Sequence, residues 1–201
     1  MEHFIGFLID LRPCTSAMIS KKSILWMAVG TIVVFGGLGL LIISFVRPAG
    51  IVDFLQGSAR LWVQITIGLV VGFVTAKGAW QIVELPLLKD TKQFFSGLIR
   101  PLKLNMLEIV FISICAGIGE ELFFRGAIQP ILGVWFTSIL FVLLHGYLNP
   151  FKLYLSMYGA YMVLVIGVLG LLTDHFGIIT AMVAHTVIDV VLLKELGQNN
   201  S

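Results

Sequence analysis

The sequence predicts an all-α protein, a polytopic bundle of about six transmembrane helices, and two observations carry this prediction. The 201 residues are 58% hydrophobic and only 12% charged, with a mean hydropathy of +1.02. Soluble domains carry about 25% charged residues, so this chain lacks the polar residues that a water-exposed surface requires. The apolar residues also form runs of about 20 residues, the length that an α-helix needs to cross a bilayer.

Breaks in the apolar runs divide the chain into successive parts. Residues 1–20 are predicted to be an N-terminal interfacial segment, and residues 21–83 a transmembrane hairpin. A polar cytoplasmic connection follows at residues 84–103. Residues 104–196 form a transmembrane core of four more spans, and residues 197–201 a flexible tail.

Turn-forming residues separate the four spans of the core. Pro130 and Gly133 mark the first turn, Asn149 and Pro150 the second, and Gly177 the third. Most basic residues flank the same ends of the six spans: Lys21, Lys22, Lys77, Lys89, Lys92, Arg100, Lys103, Lys152 and Lys194. The positive-inside rule therefore predicts that both termini are cytoplasmic.

Six ionisable side chains fall inside the spans of the core. A charged side chain at the centre of a membrane helix costs roughly 2.5–3.5 kcal/mol on insertion scales, so such residues are functional candidates by default. They are Glu120, Glu121, Arg125, His145, His185 and Asp189. The sequence therefore predicts a polar site within the membrane.

Helical spacing assigns different roles to the two glutamates. Glu121 and Arg125 are four residues apart on one helical face, which predicts an ion pair that supports the site structurally. Glu120 points about 100° away around the helix, and without a counter-charge it suits a general base or a metal ligand. Counted along their helices, Glu120, His145 and His185 lie at comparable depths, about 15–20 Å from one membrane side. We therefore expect them to be able to converge.

At these residues the sequence resembles the CPBP family of intramembrane proteases. That family includes the CAAX prenyl endoproteases and bacterial relatives linked to bacteriocin maturation or immunity. Its three motifs are matched by Glu120-Glu121-Leu122-Phe123-Phe124-Arg125, Phe141-Val-Leu-Leu-His145 and His185-Thr-Val-Ile-Asp189. The resemblance covers residues 104–193, whereas the N-terminal hairpin carries no motif.

The resemblance implies an intramembrane endopeptidase that hydrolyses a peptide bond of a membrane-associated or lipidated substrate. Glu120 would activate a water molecule, and His145 would help to hold it. His185 and its partner Asp189 would stabilise the oxyanion. The prenyl endoproteases carry asparagine at the position of Asp189, and an asparagine amide donates a hydrogen bond that an ionised aspartate does not.

Two mechanisms stay open at this point. Glu120, His145, His185 and Asp189 are also a candidate ligand set for zinc or another divalent metal, because imidazole and carboxylate groups bind such ions. Members of the family are named metalloproteases, yet a metal-free glutamate mechanism is argued for some of them. The residues of this sequence are compatible with both mechanisms.

Two other functions would use the same residues. In a non-enzymatic immunity or chaperone-like membrane protein they would form a buried structural network, and in a small transporter they would relay protons or bind ions. The expected partners are membrane lipid and a membrane-associated or peptide substrate. A net charge of +2 without a basic cluster argues against a nucleic-acid partner.

Overall fold

The computed structural model describes residues 20–47 and 51–198, and these residues are helical with no β-strand. The helices are α1 Lys21–Val46, α2 Ile51–Gln56, α3 Leu61–Val83, α4 Lys89–Ile99, α5 Met106–Glu121, α6 Gln129–Leu144, α7 Leu153–Phe176 and α8 Ile178–Gly197. A π-helical turn, Leu122–Ile128, joins α5 to α6. The predicted all-α bundle is confirmed. The predicted interfacial segment (apart from Ser20) and the last three residues of the predicted tail lie outside the described residues.

The outer surface of the bundle is apolar, as a bilayer requires. Phe45 and Leu107 are each 81% exposed, whereas the polar side chains of Gln64 and Thr137 are fully buried. A surface of this kind is unfavourable in water and favourable in lipid. Four stretches are long and apolar enough to cross a membrane, namely α1, α3, Met106–Leu144 and α7. The chain is therefore a multi-pass membrane protein.

The chain reverses direction within Met106–Leu144. Gly133 has φ 74° and ψ 170°, which no residue in a helix adopts. A continuous helix would separate Glu120 from His145 by about 37 Å, but their side chains approach to 3.5 Å. The predicted turn is thus located at Gly133, and predicted spans three and four both lie in this stretch. Helix α8 is not among the four stretches, so the count of six spans and the cytoplasmic termini stay predictions.

Helix α8 lies between α3 and α5 and packs against both. Glycines allow its close approach to α3, because a Cβ on Gly68 would lie 2.7 Å from the Thr180 carbonyl oxygen. A Cβ on Gly72 would lie 2.6 Å from the Ala184 carbonyl oxygen. Small residues four positions apart let membrane helices pack backbone to backbone. The N-terminal hairpin, which carries no motif, therefore supports the helix that carries His185.

Replacing Gly72 with alanine is expected to destabilise the bundle by about 1–3 kcal/mol, because the added methyl group overpacks the contact with α8. The matched control is Gly37→Ala, where a Cβ meets no atom of the described residues within 4 Å. The free energy of unfolding of both variants is measured in detergent. Equal losses of stability would contradict the proposed role of the close contact.

Most basic residues gather where α3 ends and α5 begins, which we call the basic end. Lys21 pairs with Glu108 at 2.9 Å, and Lys77 pairs with Glu195 at 2.9 Å. The connection predicted to be polar also lies here, but it contains the amphipathic helix α4 between two 3-10 turns, Pro86–Leu88 and Arg100–Leu102. This segment is therefore a folded element that packs against α8, and not only a connection between helices.

Candidate active site

Four polar side chains from the core helices meet inside the bundle. Glu120, at the end of α5, places Oε2 3.5 Å from His145 Nε2 and 4.0 Å from His185 Nε2. Asp189, one turn after His185 in α8, places Oδ2 3.7 Å from His185 Nε2. The four residues predicted from the sequence as catalytic therefore form one group, drawn from three segments of the chain.

The four side chains line a cavity of about 270 Å³, which we call the inner cavity. Most of its wall is apolar, and Phe95 and Ile99 of α4 contribute to it. A wider outer cavity of about 730 Å³ adjoins it and shares Phe95, His145 and Tyr147. The boundary between the two cavities thus lies at His145, and α4 forms part of both.

Glu120 has an oxygen atom that is buried without a hydrogen bond. Oε2 is inaccessible to solvent, and none of the described residues donates a hydrogen bond to it. Buried polar atoms in native proteins are nearly always satisfied, so an orphaned one indicates a place for water, an ion or a substrate. This atom lies close to both histidine Nε2 atoms at the wall of the inner cavity.

Both histidines are held by their Nδ1 atoms. His145 Nδ1 lies 2.7 Å from the Phe141 carbonyl oxygen, and the two rings stack with centroids 4.2 Å apart. His185 Nδ1 lies 2.9 Å from Glu121 Oε1. An Nδ1–H that donates to an oxygen fixes the ring orientation and leaves Nε2 for the reacting groups. In both residues Nε2 is turned towards Glu120.

Glu121 and Arg125 form the predicted ion pair. Arg125 Nε donates to Glu121 Oε2 at 2.9 Å, and both side chains are fully buried. Arg125 lies in the π-helical turn, a feature that is frequent at functional sites and that the sequence spacing did not predict. The two adjacent glutamates therefore have different surroundings: Glu120 faces the inner cavity, and Glu121 faces Arg125 and His185.

Tyr147 lies between α6 and α7 and lines both cavities. Burial, reinforced by the negative charges of Asp189 and Glu120, raises the pKa of Tyr147 to about 12. Its hydroxyl group therefore stays protonated at neutral pH and can donate a hydrogen bond. Tyr147 was not predicted as a site residue, because it lies beyond the end of a span and only its place two residues after His145 signals it.

The fit of a metal ion can be tested on the donor atoms themselves. The predicted ligands Glu120, His145, His185 and Asp189 have the chemistry that zinc prefers. Among the residues that the structure describes, however, no group of three or more His, Cys, Asp or Glu side chains is arranged to hold a metal ion. We therefore assign no catalytic step to a metal, and the metal-assisted and metal-free mechanisms both stay hypotheses from the sequence.

Comparison with known proteins points to the same part of the chain. Residues 102–191 match the family model of the type II CAAX prenyl endopeptidase, Rce1-like, and this range contains every predicted site residue. An uncharacterized protein of Bacillus subtilis (strain 168), YpbD, is 34% identical over 96 residues. That match covers 47% of this chain and 48% of YpbD, so it spans about half the length of this relative. No solved structure matches the chain.

Proposed function

Because residues 102–191 match the Rce1-like family model, in agreement with the motif resemblance, we propose that this multi-pass membrane protein is an intramembrane endopeptidase. The observation that carries the proposal is the buried, unpartnered Oε2 of Glu120, which faces two histidine Nε2 atoms on the wall of a cavity. The proposed substrate is a membrane-associated or lipidated polypeptide, cleaved by hydrolysis of one peptide bond.

In the proposed reaction Glu120 is the general base. A water molecule in the inner cavity, hydrogen-bonded to both Glu120 and His145, transfers a proton to Glu120 while its oxygen forms a bond to the carbonyl carbon of the substrate. The resulting tetrahedral intermediate carries the negative charge on the former carbonyl oxygen. Glu120 then returns the proton to the amide nitrogen as the carbon–nitrogen bond breaks. The products are a carboxylic acid and an amine, and Glu120 is again ionised.

His185 is the proposed group that stabilises the oxyanion. It lies between two carboxylates, with Glu121 at Nδ1 and Asp189 near Nε2. A protonated imidazole in this place donates from Nε2 to the oxyanion, and such preorganised donors are a large part of catalysis in sites that exclude water. The ionised Asp189 has no hydrogen to donate, so its proposed role is to hold the ring and its charge.

The two cavities indicate how a polypeptide would lie. His145 is shared by both, which supports a scissile bond that lies at their boundary. One side of the bond then extends into the largely apolar inner cavity, and the other extends into the outer cavity, which also carries polar side chains such as Asp90, Asn149 and Lys152. An extended segment that is apolar on one side of the bond fits this division.

The proposal is tested with the purified chain in phospholipid vesicles and a library of lipid-anchored peptides. Mass spectrometry in water enriched in oxygen-18 should detect paired fragments, with one heavy oxygen in the new carboxylate. Vesicles that carry the Glu120→Gln protein are the blank. If neither the wild-type nor the Glu120→Gln vesicles yield fragments across the library, the proposal is wrong for these substrates, and the non-enzymatic function is favoured.

Cleavage is expected to persist after dialysis against EDTA and 1,10-phenanthroline, because the described side chains are not arranged to hold a metal ion and Glu120 can act as a base without one. The initial rate of the dialysed protein is compared with that of the untreated protein, and a soluble zinc protease treated identically shows that chelation worked. A loss of activity that zinc restores would establish the metal-assisted mechanism instead.

A further inference from the structure

A line of hydrogen-bonded side chains runs from the candidate site towards the end of the bundle opposite the basic end. His185 Nδ1 lies 2.9 Å from Glu121 Oε1, and Glu121 Oε2 lies 2.9 Å from Arg125 Nε. Arg125 Nη1 then donates to Gln129 Oε1 at 3.5 Å, and Gln129 Nε2 donates to Asp174 Oδ1 at 2.9 Å. The line therefore links α8, α5, the π-helical turn, α6 and the last turns of α7.

The middle of the line is buried among apolar side chains and its last member reaches the surface. Glu121 and Arg125 are fully buried and Gln129 is 4% exposed, whereas Asp174 is exposed. Buried polar groups that lose a partner are costly, so the geometry of each member depends on the next. A disturbance at Asp174 is therefore not confined to the surface.

Gln129 is the member that joins the site to the distant end. Its amide accepts from Arg125 through Oε1 and donates through Nε2 to both Asp174 and the Gly170 carbonyl oxygen. A side chain that accepts on one side and donates on the other is what this position requires. Gly170 leaves the room for it, since a Cβ there would lie 2.7 Å from Gln129 Oε1.

We propose, on the basis of the function proposed above, that Gln129 and Asp174 are positioning residues of the reaction. They hold the guanidinium group of Arg125, which holds Glu121, which in turn keeps the Nδ1 hydrogen of His185 donated away from the cavity. His185 Nε2 then faces Glu120 and the oxyanion. Neither Gln129 nor Asp174 lines the inner cavity, so both act through Arg125.

The test combines kinetics with the nuclear magnetic resonance of histidine nitrogens labelled with nitrogen-15. The chain has only four histidines, so the signals of His185 can be resolved. In the Asp174→Ala protein we expect the His185 Nδ1 signal to shift and kcat to fall about 10-fold, the scale seen for partners that orient a ligand, with KM unchanged. Asp174→Asn keeps an oxygen that accepts from Gln129 and should retain the wild-type signal and kcat.

Two further variants separate positioning from folding. His175→Ala alters an exposed neighbour at the same end of the bundle and should change neither measurement. Gln129→Asn keeps an amide but is too short to reach both partners, so it should show the same shift of the His185 signal and the same fall in kcat as Asp174→Ala. It therefore provides the test if Asp174→Ala does not fold. A lower melting temperature with an unchanged His185 signal and unchanged kcat per folded molecule would overturn the proposal.

The same experiment distinguishes failure of this inference from failure of the proposed function. The His185 signal is recorded without substrate and responds to the hydrogen bond of Nδ1 whether or not the protein cleaves peptides. An unchanged signal in both Asp174→Ala and Gln129→Asn overturns the positioning role. A shifted signal in these folded variants, together with a wild-type protein that cleaves no peptide, upholds the structural link and rejects the proposed function.

Discussion

Replacing Glu120 with glutamine is expected to lower the rate of peptide hydrolysis by about 10²–10⁴-fold, the contribution of a positioned general base. Glutamine has nearly the same shape but cannot take a proton from water. The substitution should not lower stability, because the Oε2 atom that it changes makes no hydrogen bond within the described residues. Cleavage and melting temperature are measured on the same preparation. The expected result is a folded, inactive protein.

The matched control is Glu84→Gln, which removes an exposed carboxylate that pairs with Lys92 at 3.2 Å. Exposed pairs contribute about 0–1 kcal/mol, and Glu84 does not line the inner cavity, so this variant should cleave normally. Full activity in a pure Glu120→Gln protein would reject the proposed mechanism. If that protein also kept its biological effect in cells, the immunity or chaperone-like function would be favoured.

Replacing Arg125 with methionine is expected to destabilise the protein by about 3–5 kcal/mol, the cost of leaving one partner of a buried ion pair uncompensated. Glu121 and Arg125 are both fully buried and 2.9 Å apart. In the variant the carboxylate of Glu121 keeps only the hydrogen bond from His185 in an apolar bundle. Unfolding in detergent or bicelles, followed at several denaturant concentrations, gives the free energy difference.

A double substitution, Glu121→Gln with Arg125→Met, is the control for this prediction. It removes both charges together, and neutral replacement of a buried ion pair is often close to neutral in stability. The double variant should therefore be more stable than Arg125→Met alone, with a coupling energy that a double-mutant cycle reports. The prediction would be contradicted if the free energy of unfolding of Arg125→Met lay within about 1 kcal/mol of the wild-type value, as is usual for an exposed ion pair.

Much of the site could be predicted because helices repeat every 3.6 residues. That period placed Glu121 beside Arg125 and turned Glu120 away from both, as the structure shows. Breakers in the sequence located the reversal near Gly133. Matched depths along the spans made it reasonable that Glu120, His145 and His185 meet, although depth alone does not say which way each helix is rotated.

Other features of the site are not indicated by any local pattern in the sequence. The hydrogen bond between Gln129 and Asp174 joins residues 45 positions apart, and neither is in a motif. Helix α4 was predicted as part of a polar connection, yet Phe95 of this helix lines both cavities. Such contacts depend on how elements pack and not on the period of any one of them.

The amino-acid sequence is therefore enough to predict a helical membrane protein with a set of polar side chains inside its core. Composition and periodicity are properties of the covalent chain, and each apolar span forms a helix because its backbone hydrogen bonds must be satisfied internally in lipid. Which faces of the helices meet is a choice that becomes visible in the folded bundle. That choice rests on contacts between distant residues, such as the glycines of α3 against α8, which let the helix that carries His185 pack closely into the bundle.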